Sequence, residues 1–293
     1  MRRTGIVSYW RQYLAISPFF LVFVGFNLIP VFFTLYLAFQ RWDGLGDMQF
    51  AGLDQFKFLI HDPTFWLSVK NTIIIWVLGT VPMLFVALII AVLLNAGVRF
   101  TPFYRIAYFL PNVTSLVAVA LFFFAIFSSS NGLVNAVLHL LHLPQVQWLQ
   151  NPFAIKVVIA LLMSWQWTGY NAIIYLAGLQ TIPSQLYEAA QLDGASAWTR
   201  FRRITVPMIS PTILLTSIIT VVGSLQVFAQ IAVLTQGGPG TSTTVLVYYL
   251  YQQAFQFHHF GYGATISVLL FVIVAALTLL QWRMRRKWVL HES

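Results

Sequence analysis

Long stretches without a charged residue dominate the sequence. They comprise residues 12–40, 71–98, 106–155, 157–187 and 204–282. Because a helix needs about 20 apolar residues to cross a bilayer, each stretch can hold one membrane span, and the last can hold two on either side of the polar segment 235–241. The pattern therefore predicts six spans, at about 16–39, 71–95, 106–127, 157–178, 209–235 and 264–282.

The first span follows three arginines, so it could also belong to a signal peptide. Its apolar stretch is longer than the hydrophobic region of a signal peptide, which has roughly 7–15 residues, and no small-x-small cleavage site follows it. We therefore expect this span to remain as an uncleaved transmembrane helix.

The composition indicates the same class of protein. Of 293 residues, 59% are hydrophobic and only 8% are charged, whereas soluble domains have about 25% charged residues. We expect an all-α, polytopic membrane protein and exclude an ordinary cytosolic enzyme. The net charge of +9 lies at the ends of the spans rather than along one solvated face, so no nucleic-acid partner is expected.

The basic residues divide unevenly between the two predicted sides of the membrane. With the N-terminus in the cytoplasm, the inner side carries twelve of the sixteen: Arg2, Arg3, Arg11, Arg99, Arg105, Arg200, Arg202, Arg203, Arg283, Arg285, Arg286 and Lys287. The outer side carries Arg41, Lys57, Lys70 and Lys156. The positive-inside rule then predicts that both termini, residues 1–15 and the basic tail 283–293, are cytoplasmic.

The acidic residues argue against several functions. All seven lie outside the predicted spans: Asp43, Asp47, Asp54, Asp62, Glu188, Asp193 and Glu292. Ion-coupled transporters often carry an intramembrane carboxylate, so that class is disfavoured.

His139 and His142 have a spacing suitable for a metal, but no third ligand is evident. The chain also has no cysteine and no Gly-Lys-Ser/Thr phosphate loop, so we expect neither a metal nor a cofactor.

One predicted cytoplasmic loop, residues 181–207, has the features of a helix-turn-helix. Pro183 precedes a segment typical of a helix start, and Gly194 occupies a position where a helix would end in a left-handed residue. A second helix is predicted from about Ser196 to Thr205, ending at Pro207.

Two small residues, Ala189 and Ala190, are predicted on the surface of the first of these helices. Small side chains let the backbone of another protein approach closely. The same loop could instead pack against its own helical bundle, and composition alone does not decide between a docking loop and a packed one.

The residues of the loop resemble the EAA loop of ATP-binding-cassette (ABC) importer permeases. That pattern runs E-A-A-x-x-D-G-A and, after a spacer, F-x-x-I-x-L-P. The matching residues are Glu188, Ala189, Ala190, Asp193, Gly194, Ala195, Phe201, Ile204 and Pro207. Val206 replaces the usual leucine of the pattern.

Further segments resemble the carbohydrate-import branch of these permeases, the MalF-like proteins. They are residues 50–56, 132–135, 176–183 and 234–255. The last of them contains Gly237, Gly238 and Pro239 in a predicted outer loop. The resemblance extends over nearly the whole chain, from about Tyr9 to Trp282.

The resemblance implies a transport role without enzymatic activity. Residues 16–282 would form the transmembrane domain, and residues 181–207 would be the coupling loop that docks on a homodimeric cytoplasmic ABC ATPase. The other implied partners are a second, MalG-like permease subunit, an extracytoplasmic solute-binding protein and a sugar substrate. The chain would lie among lipids in the cytoplasmic (inner) membrane of a bacterium or archaeon.

An uncharged sugar would require amides, hydroxyls and aromatic rings along its path. The fourth span offers such groups on one helical face, with a tryptophan beside them: Ser164, Trp165, Thr168, Asn171 and Tyr175. The fifth span offers Gln226 and Gln230. Polar groups of this kind also join helices through hydrogen bonds, which is the favoured role for Ser and Thr. For the amides of Asn171, Gln226 and Gln230, both roles remain open.

These features bear on three possible functions, of which two would leave signs in the sequence. An ion-coupled secondary transporter would show an intramembrane acid, or repeated halves with broken helices. A membrane-bound glycosyltransferase would show an acidic or metal-binding cluster outside the membrane. The sequence shows neither feature, so we expect an importer permease that works by alternating access.

Overall fold

The computed structural model describes residues 10–97 and 99–288. The predicted terminal segments lie partly outside this range, at residues 1–9 and 289–293. The described chain forms two units, one containing the residues up to Asp62 together with Leu250–Phe271, and the other containing Pro63–Tyr249 and the residues from Val272 onward.

Nearly all of the described residues are helical. In chain order the helices and strands are α1 Trp10–Phe23, α2 Ile29–Leu37, β1 Gln40–Arg41, β2 Gln49–Phe50, α3 Asp54–His61, α4 Pro63–Asn95, α5 Thr101–Val113, α6 Leu116–Ile126, α7 Leu133–Leu140, α8 Ala154–Leu179, α9 Ser184–Leu192, α10 Ala197–Arg200, α11 Val206–Met208, α12 Ser210–Leu225, α13 Ala229–Leu234, α14 Leu246–Tyr251 and α15 Phe260–Trp288. Three π-helical turns interrupt this series, at Val24–Leu28, Phe201–Thr205 and Gln252–Gln256.

Five helical segments in the described chain are long and apolar enough to cross a membrane. They are Gln12–Leu37, Pro63–Asn95, Ala154–Leu179, Ser210–Leu234 and Phe260–Met284. The helices α5 and α6 together would form a sixth span. This arrangement confirms the all-α membrane fold expected from the charge-free stretches.

The third predicted span is not the single helix expected over 106–127. The helices α5 and α6 meet at an angle of 95°, because Thr114 leaves the helix with an extended backbone, at φ −75° and ψ 143°. Pro111, two residues before the end of α5, has no N–H to donate to the helix. The Thr114 hydroxyl donates to the Leu110 carbonyl at 2.9 Å, which satisfies one of the carbonyls at the helix end.

The fifth predicted span, 209–235, is also interrupted. Helix α12 ends at Leu225, and α13 begins at Ala229. Between them the N–H groups of Gln226 and Val227 donate only three residues back, at 3.3 and 3.4 Å. This irregular segment therefore exposes backbone groups that a continuous helix would have used.

Helices α4 and α8 form the centre of the second unit. They approach closely at Gly79, where an added Cβ would lie 3.4 Å from the Cα of Ala160. The hydroxyl of Ser164 donates to the Gly79 carbonyl at 2.9 Å. A small residue and an interhelical hydrogen bond are the usual means of joining helices inside a membrane.

An apolar cluster lies at the C-terminal ends of these two helices. Its buried residues are Ala87, Ala91, Leu94, Ala172, Tyr175, Leu176, Leu179, Ile182 and Ile209. Tyr187 and Ile204 of the predicted coupling loop pack against it. The cluster therefore connects that loop to the helices of the second unit.

In the first unit, the segment after α2 forms a hairpin in which Gln40 pairs with Phe50 and Arg41 with Gln49. The backbone of α15 packs closely on this hairpin, because a Cβ at Gly261 would lie 2.0 Å from the Gln40 carbonyl oxygen. The segment between the first two predicted spans therefore has a defined structure.

The loop 235–246 of the second unit is held against α4 by buried polar contacts. The Asn71 amide donates to the carbonyls of Thr241 and Thr244, at 3.0 Å each. The Thr72 hydroxyl accepts from the Leu246 N–H at 2.9 Å. Gly237 of the predicted outer loop has φ +88°, where a side chain would also lie 2.8 Å from the Thr244 hydroxyl.

A single amide organises the segment that follows α6. Asn135, only 3% exposed, donates to the Val146 carbonyl at 2.9 Å, and its oxygen accepts from the Val146 N–H and the Trp148 indole, both at 3.1 Å. It also donates to the Ser129 carbonyl at 3.2 Å. These contacts join both ends of a segment that contains little regular structure.

Replacing Asn135 by leucine is expected to lower stability by about 1–3 kcal/mol, because buried backbone groups would lose their partners. Thermal unfolding of the purified protein in detergent would measure the loss. Asn131→Leu is the control, because Asn131 is exposed in the same segment. Equal melting temperatures for the two variants would contradict the organising role of Asn135.

Candidate functional site

The predicted coupling loop consists of two short helices, α9 and α10, joined by residues 193–196. Gly194 has φ +72°, which is the left-handed conformation expected from the sequence. The N–H groups of Gly194 and Ala195 donate to the carbonyls of Gln191 and Ala190, at 3.0 and 2.9 Å, and close the end of α9. Ser196 caps α10 by accepting from the Thr199 N–H at 3.2 Å.

The second helix of the loop does not stop at Pro207 as expected. The backbone stays helical through the π-helical turn Phe201–Thr205 and on to Met208. Pro207 lies in the first turn of α11, where its missing N–H is not required. The π-helical turn thus allows a proline within a helical segment.

One side of the loop packs inward, and the other faces outward. The Tyr187 and Thr205 hydroxyls are 3.0 Å apart, which joins the two halves of the loop above the apolar cluster. On the outward side Leu192 is 89% exposed and Trp198 is 68% exposed. Two large apolar side chains are thus accessible on a loop whose other side is anchored.

The residues of the EAA pattern divide between these two sides. Four are exposed: Glu188, Ala189, Asp193 and Gly194. The others are half-buried: Ala190, Ala195, Phe201, Ile204 and Pro207. Neither acidic residue of the pattern forms an ion pair with another described residue. The Phe201 ring stacks on Trp198, with 5.6 Å between the ring centroids.

A cavity of about 580 Å³ lies within the second unit. Its walls come from α4, α6, α8, α12, the irregular segment after α12 and the start of α13. The lining residues are Gly79, Thr80, Met83, Leu116, Met163, Gln166, Trp167, Tyr170, Asn171, Ile219, Thr220, Gly223, Ser224, Gln226, Val227, Phe228, Ala229 and Gln230. The wall therefore includes the first residue of α6 after the bend and all three residues of the break between α12 and α13.

Three of the predicted substrate-path residues line this cavity, namely Asn171, Gln226 and Gln230. The other four do not. Ser164 bonds to α4, and the Thr168 hydroxyl donates to the Ser164 carbonyl of its own helix. Tyr175 belongs to the apolar cluster, and Trp165 contacts Phe123, with ring centroids 5.9 Å apart. These four contacts have a structural role.

Gln166, Trp167 and Tyr170 also line the cavity, although the sequence analysis did not include them among the path residues. They lie on the face of α8 next to the predicted one, and Gln166 and Tyr170 are four residues apart, as expected for neighbours on a helix. Their spacing could have identified them, but α8 carries polar groups on both faces.

Asn171 lies in the cavity wall and also joins two helices. It is 1% exposed, its amide nitrogen donates to the Trp167 carbonyl, and its oxygen accepts from the Thr220 hydroxyl, both at 2.9 Å. Since Trp167 belongs to α8 and Thr220 to α12, the amide connects these two helices.

Replacing Asn171 by alanine is expected to cost about 1 kcal/mol, in the range of hydrogen bonds between membrane helices. Melting in detergent and the yield of the assembled complex would measure this. Thr220→Val removes the same hydrogen bond from the side of α12 and should lower stability by a similar amount. A melting temperature unchanged in the alanine variant, together with altered sugar preference, would instead identify Asn171 as a substrate contact.

Comparison with known proteins places this architecture in a family. Residues 72–287 match the family described as "Binding-protein-dependent transport system inner membrane component". This match covers more than half of the chain. The chain belongs to that family. The resemblance to ABC importer permeases shown by the EAA pattern is thereby confirmed, as is a location in the inner membrane.

Relatives in this permease family resemble the chain over most of its length. The lactose transport system permease protein LacF of Rhizobium radiobacter is 38% identical and covers 97% of this chain and 98% of its own. The arabinooligosaccharides transport system permease protein AraP of Halalkalibacterium halodurans is 34% identical, with coverages of 92% and 85%. These relatives are permeases named for sugar transport, so the carbohydrate branch is confirmed.

A solved structure shows the same fold. A chain of a bacterial alginate ABC transporter, in complex with a periplasmic protein bound to an alginate pentasaccharide, matches with a TM-score of 0.85 and 26% identity. The match covers 96% of each chain. The family is a transport component and not an enzyme.

Proposed function

We propose that the chain is one permease subunit of an ATP-driven importer, which moves a sugar or sugar-like solute into the cytoplasm by alternating access. The main support for this proposal is the shape of the EAA loop, found in a chain that belongs to the permease family. The loop is anchored on one side and exposes Leu192 and Trp198 on the other. It combines a surface for a partner with a rigid connection to the cavity-lining helices.

The proposed partner at this loop is a homodimeric cytoplasmic ATPase. The exposed leucine and tryptophan can enter a groove, since buried apolar and aromatic side chains supply most of the binding energy at protein interfaces. Gly194 leaves the turn free of a side chain. The two exposed acids, Glu188 and Asp193, offer charged contacts at the edge of the same surface.

Packed side chains would transmit a movement of the loop to the helices that line the cavity. Ile204 and Tyr187 contact the cluster that contains Leu176 and Leu179 at the end of α8. The same helix contributes Trp167 and Asn171 to the cavity, and Asn171 directly precedes Ala172 of the cluster. A displaced loop would therefore shift a wall of the cavity, which is a form of alternating access by rigid helices.

A second, MalG-like permease would complete the pathway. The first span supports this proposal, because only 6% of its most apolar stretch of 18 residues is buried within the described chain. Its exposed rings and aliphatic side chains require either lipid or a partner helix. An extracytoplasmic solute-binding protein would deliver the sugar, as the periplasmic protein in the alginate transporter complex suggests.

Uptake by the reconstituted complex tests the proposal. The chain would be purified with its partner permease and ATPase, placed in lipid vesicles, and supplied with the binding protein and radiolabelled sugar. We expect uptake only with ATP and the binding protein together. Uptake driven by a proton or sodium gradient without ATP would replace this function with that of a secondary transporter.

A further inference from the structure

Helix α7 carries a row of exposed apolar side chains, which we call the α7 stripe. It consists of Leu133, Val137, Leu140 and Leu141. Their positions in the helix place all four on one face, and Leu140 at the centre of the row is 75% exposed. Single exposed leucines are ordinary on a protein surface, whereas a contiguous apolar surface marks a contact with another molecule or with a membrane.

The opposite face of α7 is fixed to the chain. Asn135 lies two residues, and therefore about half a turn, away from Val137. Its buried amide bonds to the Ser129 carbonyl and to both backbone groups of Val146. The helix therefore cannot turn its stripe toward its own chain without breaking these bonds.

The start of α7 lies directly against the end of α6, the second half of the bent third span. A Cβ at Gly132 would lie 2.2 Å from the Ser128 carbonyl oxygen and 2.6 Å from that of Ile126. The apolar residues Leu121 and Phe122 of α6 are themselves exposed. The α7 stripe therefore begins at the level of the membrane where an apolar, outward-facing helix ends.

The segment around α7 has the composition of a membrane interface. Residues 106–155 contain no Asp, Glu, Lys or Arg, whereas residues 40–70, between the first two spans, contain seven. Trp148, which bonds to Asn135, packs edge-on against Phe127 with ring centroids 5.5 Å apart. Tryptophan is enriched where hydrocarbon meets water. These features favour lipid over water or a charged protein surface as the neighbour of the stripe.

We propose that α7 lies in the plane of the membrane interface and buries its stripe among the lipid chains beside the end of α6. Amphipathic helices bind bilayers in this way, with the apolar face at the boundary between headgroups and acyl chains. Through Asn135 the helix also holds the segment that leads to α8. The contact anchors the connection between the third and fourth spans at the bilayer surface, and it depends on the membrane fold and not on the import function.

Spin labels on single cysteines test this contact, because the chain has no cysteine of its own. Leu140→Cys places a label on the stripe. His139→Cys is the matched control, since His139 is an exposed neighbour on the same helix but lies off the stripe. With the purified complex in lipid nanodiscs, electron paramagnetic resonance would measure how far each label is accessible to oxygen, which dissolves in hydrocarbon, and to a water-soluble nickel chelate.

We expect oxygen to reach the label at position 140 more readily than the nickel chelate does, and the reverse at position 139. Labels at positions 133, 137 and 141 should behave like the label at 140. Nickel access at 140 equal to that at 139 would place the stripe in water. Shielding of position 140 from both reagents would show that a protein covers it, either a partner permease or the added binding protein. Each of these two results would overturn the lipid contact.

A charge on the stripe provides a second test. In a chain labelled at Leu133→Cys, Val137→Glu should raise access of the nickel chelate to the label, because a charged side chain is costly in hydrocarbon. His139→Glu adds the same charge to the same helix away from the stripe, so it should leave the label unchanged. Equal nickel access in the two variants would contradict burial of the stripe in lipid.

Discussion

Replacing Gly194 by valine is expected to abolish transport while leaving the protein folded in the membrane. Gly194 has φ +72°, and no heavy atom lies within 4 Å of the position of an added Cβ. A side chain would therefore meet no clash inside the chain, and the left-handed backbone would cost only about 1–2 kcal/mol. However, a branched side chain would project from the turn that we propose as the ATPase contact and would hinder docking there.

The measurements for Gly194→Val are membrane insertion, the amount of ATPase that co-purifies, and uptake with ATP. Gly46→Val is the matched control, since Gly46 has φ +76° and equally open surroundings but lies in the hairpin between α2 and α3. Both variants carry the same backbone strain, so only Gly194→Val should lose the ATPase. Normal uptake in Gly194→Val would remove the coupling assignment.

The second large effect is expected at Gly169, where α5 and α8 touch. An added Cβ would lie 1.8 Å from the Tyr108 carbonyl oxygen and 2.3 Å from its carbonyl carbon. Backbone atoms in a helix cannot move away as a flexible side chain can. We therefore expect Gly169→Ala to force α5 off α8 at a cost of about 3 kcal/mol or more, at the upper end for overpacked cores.

Resistance to unfolding in detergent and the yield of monodisperse protein would measure this effect. Gly25→Ala is the control, because Gly25 is also within a helical segment and has no heavy atom within 4 Å of an added Cβ. That substitution should be neutral or stabilise the helix by about 0.5–1 kcal/mol. Equal stability of the Gly169→Ala and Gly25→Ala variants would contradict the close contact between α5 and α8.

Much of the fold follows from local sequence signals. Charge-free stretches mark the spans because a charged side chain in hydrocarbon is costly wherever the helix packs. The turn at Gly194 is similarly local, since glycine adopts positive φ without steric cost. Both features require knowledge of only a few consecutive residues.

The interruptions of the spans were not predictable in this way. Residues 106–127 and 209–235 are free of charged residues, and the absence of charge does not show where a helix ends inside a membrane. The bend after Val113 and the break after Leu225 depend on Thr114 and Gln226 leaving the helical conformation. At the bend the Leu110 carbonyl accepts from the Thr114 hydroxyl, which is the kind of local partner that a backbone group inside a membrane requires.

Part of the candidate site could likewise be predicted from the sequence, and part could not. Sequence was enough to predict the charge-free spans, the family and the helix-turn-helix of residues 181–207, because each depends on hydrophobic length or on a local motif. It was not enough to choose between the two polar faces of α8, since the hydroxyl of Thr168 can bond to its own helix as readily as to a ligand. The approach of α4 and α12 instead engages Ser164 and Asn171 in hydrogen bonds between helices. Which polar group stays free depends on the neighbours that the packed helices bring to it.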